Sequence, residues 1–299
     1  MINVVVLSSQ PVACAPWLIY NCLKKYASDI LNVRYVNVRA HYNDGRSFPY
    51  DLMWTDKEAK DIIRNANVIH FHNTLDKLYV PLIDKKKQKV YGTVHSCPRQ
   101  QNWAGLLEFC HETFVIRQPM QIKEYPELKT LPTLFDIWEH LPDETRKWDK
   151  IKIVYCPTSR NKVDHPSGKG YEFVMPALDK ITKKYRNISV LHFYDKAYFE
   201  NLKLKRGGHL VIDDVAGHDT FHLTALEGAA FAQSVYTGVG IEEGYPFLKT
   251  HYRDIDSYLE SAMRDFLAIK TFGEIARRWV EENWNPKIQC QEYIDLYTK

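Results

Sequence analysis

Asp219 and Glu227 lie eight positions apart in the stretch from Gly217 to Gly238, GHDTFHLTALEGAAFAQSVYTG. Eight helical steps span roughly 12 Å, too far for a tight carboxylate dyad and well matched to different parts of one extended ligand. Glu227 falls inside an Ala-rich helical pattern and is followed by Gly228, so its carboxylate needs a partner. A ribose diol is a good one, because each oxygen can accept from a hydroxyl. Asp219 has a second reading as a helix N-cap. A further polar stretch, PTSRNKVDHPSGKG, follows the strand-like run from Lys152 to Tyr155. Arg160 and Lys169 flank its loop, and Lys169-Gly170 opens the next helical pattern. Two cations and a helix N-terminus suit a diphosphate, through side-chain charge, exposed backbone N–H groups and the helix dipole. A solvated basic loop is the alternative. No Walker pattern is present, so this is not a P-loop.

Histidines close two other strand-like runs. His95 ends one and could donate to a sugar hydroxyl or a phosphate, or serve structurally between domains. His70 and His72 are two apart on a strand and share a face, with no third ligand spaced to complete a metal site. Asp254-Ile255-Asp256 spells DxD, a pattern able to hold a metal beside a nucleotide sugar; it adjoins an amphipathic helix, where capping explains it.

Open parallel sheets bind ligands outside the carboxyl ends of their strands, so the elements behind these residues matter. Asn3 to Leu7 reads as a strand, Ala13 to Tyr26 as a helix and Val33 to Val38 as a strand. Arg39 to Tyr50 is loop-like, with Arg39, His41 and Arg46 placed to touch an acceptor. Thr55 with Glu58 three residues on is a capping box opening a helix to about Ala66. Strands at Val68 to Phe71, Lys89 to Val94 and Thr113 to Ile116 come next, with a helix around Trp103 to Cys110. Between Gln118 and Lys150 four prolines and mixed charges break the alternation. It resumes with strands at Lys152 to Tyr155, Ser189 to Phe193, His209 to Ile212 and Ser234 to Tyr236, separated by helices at Tyr171 to Tyr185, Ala197 to Leu202 and the Glu227 segment. From Ile255 onward the pattern is almost wholly helical. Alternating strands and helices predict α/β architecture, with parallel sheets covered on both faces.

The 299 residues, 45% apolar, suffice for two cores of ordinary size. No run approaches a membrane-spanning length, and MINVVVLSSQ lacks a basic region before its apolar stretch, so it reads as the first strand of a cytoplasmic protein. The six cysteines form no CxxC pair and read as buried thiols. The net charge of +3 diagnoses no partner, but residues 1–100 hold 14 Lys and Arg against 8 Asp and Glu. A basic half of this kind suits an anionic acceptor or a membrane surface to which the protein is peripheral; a solvated run such as Lys85, Lys86, Lys87 and Lys89 accounts for it equally.

The order SR…KG, then ALEGAA followed by a strand and glycine, then ARRWVEENWNPKIQCQEYIDLY, resembles the GT-B retaining glycosyltransferases, particularly glycosyltransferase family four. The resemblance implies two Rossmann-like, doubly wound domains facing an interdomain cleft, at residues 1–148 and 149–271, with C-terminal helices over 272–299 crossing back to the first. It implies a nucleoside diphosphate sugar as donor and no metal or other cofactor. A hydroxyl acceptor is expected, on a glycan or a lipid or, given the basic first hundred residues, on a hydroxymethylated DNA base. Two acidic residues in the family hold the donor: Asp219 takes the place that addresses the transferred sugar and Glu227 the place that addresses the ribose. Arg160 and Lys169 take the places that neutralise the diphosphate, and His95, in TVHS, the histidine near the sugar. Asp219, Thr220, Phe221 and His222 then form the sugar-facing segment; Thr220 and His222 stand where the family has glycines. A nucleotide-sugar epimerase and a non-catalytic sugar-nucleotide binder are the alternative functions.

Overall fold

The computed structural model describes residues 1–9, 12–39, 47–95, 104–157, 169–194 and 196–299. The chain forms two units, residues 1–136 with 284–299, and residues 137–283. In the first unit β1 (Ile2–Ser8), α1 (Ala15–Tyr26), β2 (Leu31–Asn37), β3 (Leu52–Met53), α2 (Ala59–Asn65), β4 (Val68–His72), β5 (Lys89–Val94), α3 (Ala104–Phe109), β6 (Glu112–Ile116), α4 (Pro119–Glu124) and β7 (Lys129–Leu131) succeed one another in order. The strands form one parallel sheet ordered β3-β2-β1-β4-β5-β6-β7. Both of its faces are buried, which is why the central strands read as continuous apolar runs. Val4, Val6, Val68 and Tyr91 pack on the α1 side, and Val5, Leu7, Ile69 and Phe71 on the side of α2 and α3.

Two sequence expectations change here. The Thr55 capping box does not form: α2 starts at Ala59 with Glu58 at the N-cap position. The Glu58 carboxylate instead meets Arg34 at 3.2 Å, and Asp56 accepts from the Met53 amide at 2.7 Å, so 53–56 folds as a turn behind β3. The Pro-rich segment also holds regular structure, because α4 and β7 continue the first sheet to its edge.

The second unit carries β8 (Ile151–Tyr155), α5 (Tyr171–Lys184), β9 (Ile188–His192), α6 (Tyr198–Arg206), β10 (Leu210–Ile212), α7 (Leu223–Ala230), β11 (Ser234–Thr237), β12 (Leu248–Lys249), α8 (Ile255–Ala262) and α9 (Phe266–Asn283). Its sheet is parallel, ordered β12-β11-β10-β8-β9. The residues from Ile137 to the start of β8 belong to this unit. Trp148 packs edge-on against His209 at 4.7 Å, and Arg146 donates to the carbonyls of Phe231 and Ala232 at 2.5 and 3.0 Å. Arg277 of α9 donates to the Ala230 carbonyl at 2.6 Å. Two guanidinium groups therefore satisfy the last carbonyls of α7 and complement the negative end of its dipole. At its middle, α7 presses against β10: a Cβ on Gly228 would lie 2.3 Å from Val211 Cγ1. The last helix, α10 (Pro286–Thr298), belongs to the first unit, where Tyr293, Leu296 and Tyr297 join the α1 core. Among the described residues no helix is long and apolar enough to cross a membrane.

Candidate active site

In the second sheet the chain starts at β8, adds β9 on one side and then crosses to add β10 on the other. The carboxyl ends of β8 and β10 thus flank the point where the winding reverses, the place at which open α/β sheets bind ligands. Lys169, just before α5, and Asp213, just after β10, close on each other there. Lys169 Nζ lies 2.6 Å from Asp213 Oδ1, with the side chains 6% and 0% exposed. Lys169 adopts φ 49°, the left-handed region, and is followed by Gly170 at φ 79°, so the approach to α5 is strained at a non-glycine residue. Asp213 Oδ2 accepts from the backbone N–H of His222, the N-cap position of α7, at 2.6 Å. Burial alone would raise the Asp213 pKa; the charges of Lys169 and His222 outweigh it and hold the carboxyl well below its ordinary range.

Asp214 is buried beside it. Its Oδ1 accepts from the Ala216 amide at 2.9 Å and its Oδ2 pairs with His218 Nδ1 at 3.0 Å. His222 Nδ1 lies 3.5 Å from Asp213 and 3.8 Å from Asp214 without a hydrogen bond among the described residues. A second buried ion pair stands behind the first: Glu227 Oε2 accepts from Lys205 Nζ, both side chains being almost wholly enclosed. Burial would lower the Lys205 pKa, but Cys156, Glu227 and Asp213 more than compensate and raise it. Glu227 therefore has its partner within the chain. A carboxylate has about four lone-pair sites, so the pair leaves capacity for hydroxyl donors.

The remaining expected residues divide. Asp219 is exposed, and it does not cap α7, since His222 takes that position; the helix begins only at Leu223, so only the second half of the way from Asp219 to Glu227 is helical. Thr220 and Phe221 are fully buried. The Phe221 ring packs against Tyr245 and Phe247 at 5.0 and 5.6 Å, and the Thr220 carbonyl accepts from Thr237 Oγ1 at 3.0 Å. Both residues brace the loop. Arg160 lies outside the described residues, as do His41, Arg46 and Cys97. Asp254 takes the N-cap position of α8 without a side-chain cap bond, and Asp256 pairs with Lys180 at 3.1 Å.

His95 sits just after β5 in the first unit. Its backbone N–H donates to Asn73 Oδ1 at 2.8 Å, and its carbonyl accepts from Gln121 Nε2 at 3.1 Å. Its ring Nε2 lies 2.7 Å from His72 Nδ1. Burial pushes the His95 pKa down to about 3.

No protein-family model matches the chain, and no curated protein matches it in sequence. Solved structures do match. An alpha-glucosyltransferase in complex with UDP and a 13-mer DNA superposes with a TM-score of 0.68 at 9% identity, covering 100% of both chains. HepE (Alr3699) of Anabaena, in complex with UDP, gives 0.66 at 10% identity, covering 99% of this chain and 100% of its own. A glycosyltransferase from Rickettsia africae gives 0.61 at 12% identity, covering 99% and 98%. The chain shares the fold of these GT-B glycosyltransferases.

Four residues of the second unit escape sequence reasoning: Asp213, Asp214, His218 and Lys205. Asp213 and Asp214 were marked by position, since an acidic pair directly follows the apolar run of β10. Lys205 carried no signal, because its basic helix reads as a solvated face.

Proposed function

We propose that this chain is a retaining glycosyltransferase that moves a sugar from a nucleoside diphosphate sugar to a hydroxyl acceptor, with UDP the first nucleotide to test. The observation that carries the reading is the Lys169–Asp213 pair at the winding reversal, with Glu227 beside it, in a fold shared with UDP-bound glycosyltransferases. Departure of an anionic diphosphate from an oxocarbenium-like sugar is the difficult step. Lys169 gives one of its three donors to Asp213 and would offer the others to phosphate oxygens; Arg160 and the first N–H groups of α5 would share the charge. Losing one such donor costs on the order of 10²- to 10³-fold in rate. Glu227, held by Lys205, would accept from the ribose hydroxyls, and Asp219 would orient the sugar. His95 keeps the role the resemblance implies, a donor to sugar or phosphate. The leaving phosphate would take the acceptor proton, so no protein base is required, and no metal is assigned a role.

One observation favours a second reading, a non-catalytic sugar-nucleotide binder. Among the described residues Lys169 is already neutralised by Asp213, so this pair itself carries no surplus positive charge. Mass spectrometry of mixtures with UDP-, GDP- and dTDP-sugars and a panel of glycan, lipid and hydroxymethylated DNA acceptors separates the two. Transfer that is lost in Glu227→Gln supports the enzyme; tight binding with neither transfer nor hydrolysis refutes it, and an epimer without transfer would identify an epimerase. For DNA as acceptor, duplex binding that weakens steeply with salt is expected.

A further inference from the structure

His70, His72 and His95 form a buried row whose hydrogen bonds fix its proton positions. In the β4–β5 register His70 pairs with Tyr91 and His72 with Thr93. Alternation along each strand places these side chains and that of His95 on one face. His70 is satisfied at both nitrogens, by Tyr297 Oη at 2.6 Å and Thr93 Oγ1 at 2.7 Å. His72 stacks on His70 with ring centroids 4.6 Å apart and reaches His95 through Nδ1. Its other nitrogen, Nε2, is buried and has no partner among the described residues.

Two neutral imidazoles sharing one hydrogen bond have only two arrangements. If His95 donates, the proton of His72 stands on Nε2, an N–H buried without an acceptor. If His72 donates, the orphan is a bare lone pair. Buried N–H groups without acceptors are the rarer and costlier defect. We infer that His72 donates from Nδ1 to His95 Nε2, and so acts as a positioning residue that holds His95 in the Nδ1–H tautomer.

Neutrality of the pair follows from its surroundings. His70, Thr93, Tyr91, Tyr293 and Tyr297 stand around the row, and among the described residues no carboxylate offsets the burial. Burial, with His70 and His95 adding to it, keeps His72 well below the ordinary histidine pKa. His95 then has one N–H to give and no lone pair to take a proton. It can bind a hydroxyl or phosphate oxygen and cannot serve as a general base. This use of the donor rests on the function proposed above; the tautomer does not.

The test is long-range ¹H–¹⁵N NMR of the whole chain labelled at histidine, with assignments from single variants. In the wild type, His95 is expected to show a pyrrole-type Nδ1 and a pyridine-type Nε2, unchanged between pH 8 and pH 5. A pyrrole-type Nε2, or a protonated ring at pH 6, overturns the inference. His72→Phe removes the donor and is expected to lower kcat about tenfold with little change in KM. His72→Asn, whose amide nitrogen can overlay Nδ1, is expected to recover most of that loss; recovery by His72→Gln instead would contradict the assignment. Undiminished transfer in His95→Phe, with the wild-type spectrum as expected, would remove His95 from the proposed reaction while leaving the tautomer in place.

Discussion

At the carboxyl end of the first sheet stand buried neutral imidazoles, hydroxyls and amides, whereas the second unit encloses ions in pairs. His72 and His95 share one hydrogen bond, and His70 bonds Tyr297 and Thr93. Lys169 with Asp213 and Lys205 with Glu227 are enclosed charges. The two ends therefore offer different polar chemistry. Neutral donors recognise hydroxyl oxygens, while fixed ions recognise or compensate formal charge in a low-dielectric setting. The same doubly wound frame thus supports two polar chemistries, set by the residue types placed just beyond each strand.

The largest expected effect breaks one side of this contrast. Asp213→Ala leaves Lys169 buried without its counter-charge and should destabilise the second unit by about 3 to 5 kcal/mol in urea unfolding. A loss below about 1 kcal/mol would mean that the pair is not held as described. The pH response separates the ends. A histidine whose folded pKa is depressed is destabilising below its unfolded pKa of about 6.5, because the unfolded chain binds the proton first. The first unit should lose stability as pH falls from about 6.5 toward 3, at up to about 1.4 kcal/mol per pH unit for each histidine. Asp213 has a depressed carboxyl pKa, so its contribution is intact above about pH 4 and is lost only below it. Hydrogen exchange resolved by residue between pH 7 and pH 5 should therefore show β4 and β5 weakening ahead of β8 and β10.

Packing sharpens the comparison at smaller scale. A Cβ at Gly228 meets Val211 at 2.3 Å, while one at Gly92 meets Cys110 and Leu106 side chains at 3.0 Å. Gly228→Ala should cost about 1 to 3 kcal/mol by overpacking and recover in part with Val211→Ala, with Gly92→Ala the milder change. The exposed Arg64–Asp61 pair is the control: Asp61→Ala should change stability by less than about 0.5 kcal/mol.

Much of the fold was legible because sheets buried on both faces demand unbroken apolar runs. Lys89 to Val94 emerges with the same bounds as β5. The strands β3, β7 and β12 were not legible, since two or three residues acquire strand geometry only from the neighbour they pair with. The Thr55 box failed for a related reason, a tertiary contact of Glu58 with Arg34. At the site, Lys169, Asp219 and Glu227 stood out by type and spacing. Their partners did not, because Asp213 lies 44 positions from Lys169 and Lys205 lies 22 from Glu227. Likewise His72 and His95 meet only through strand register.

The claim that the charged end of the second sheet receives the nucleotide diphosphate is tested most directly by hydrogen–deuterium exchange of the intact chain with and without UDP. The account predicts protection at the start of α5, over 213–227 and at Thr237–Gly238, with uridine giving much less. Saturating UDP that leaves those segments unprotected, or protects only segments of the first unit, would contradict it.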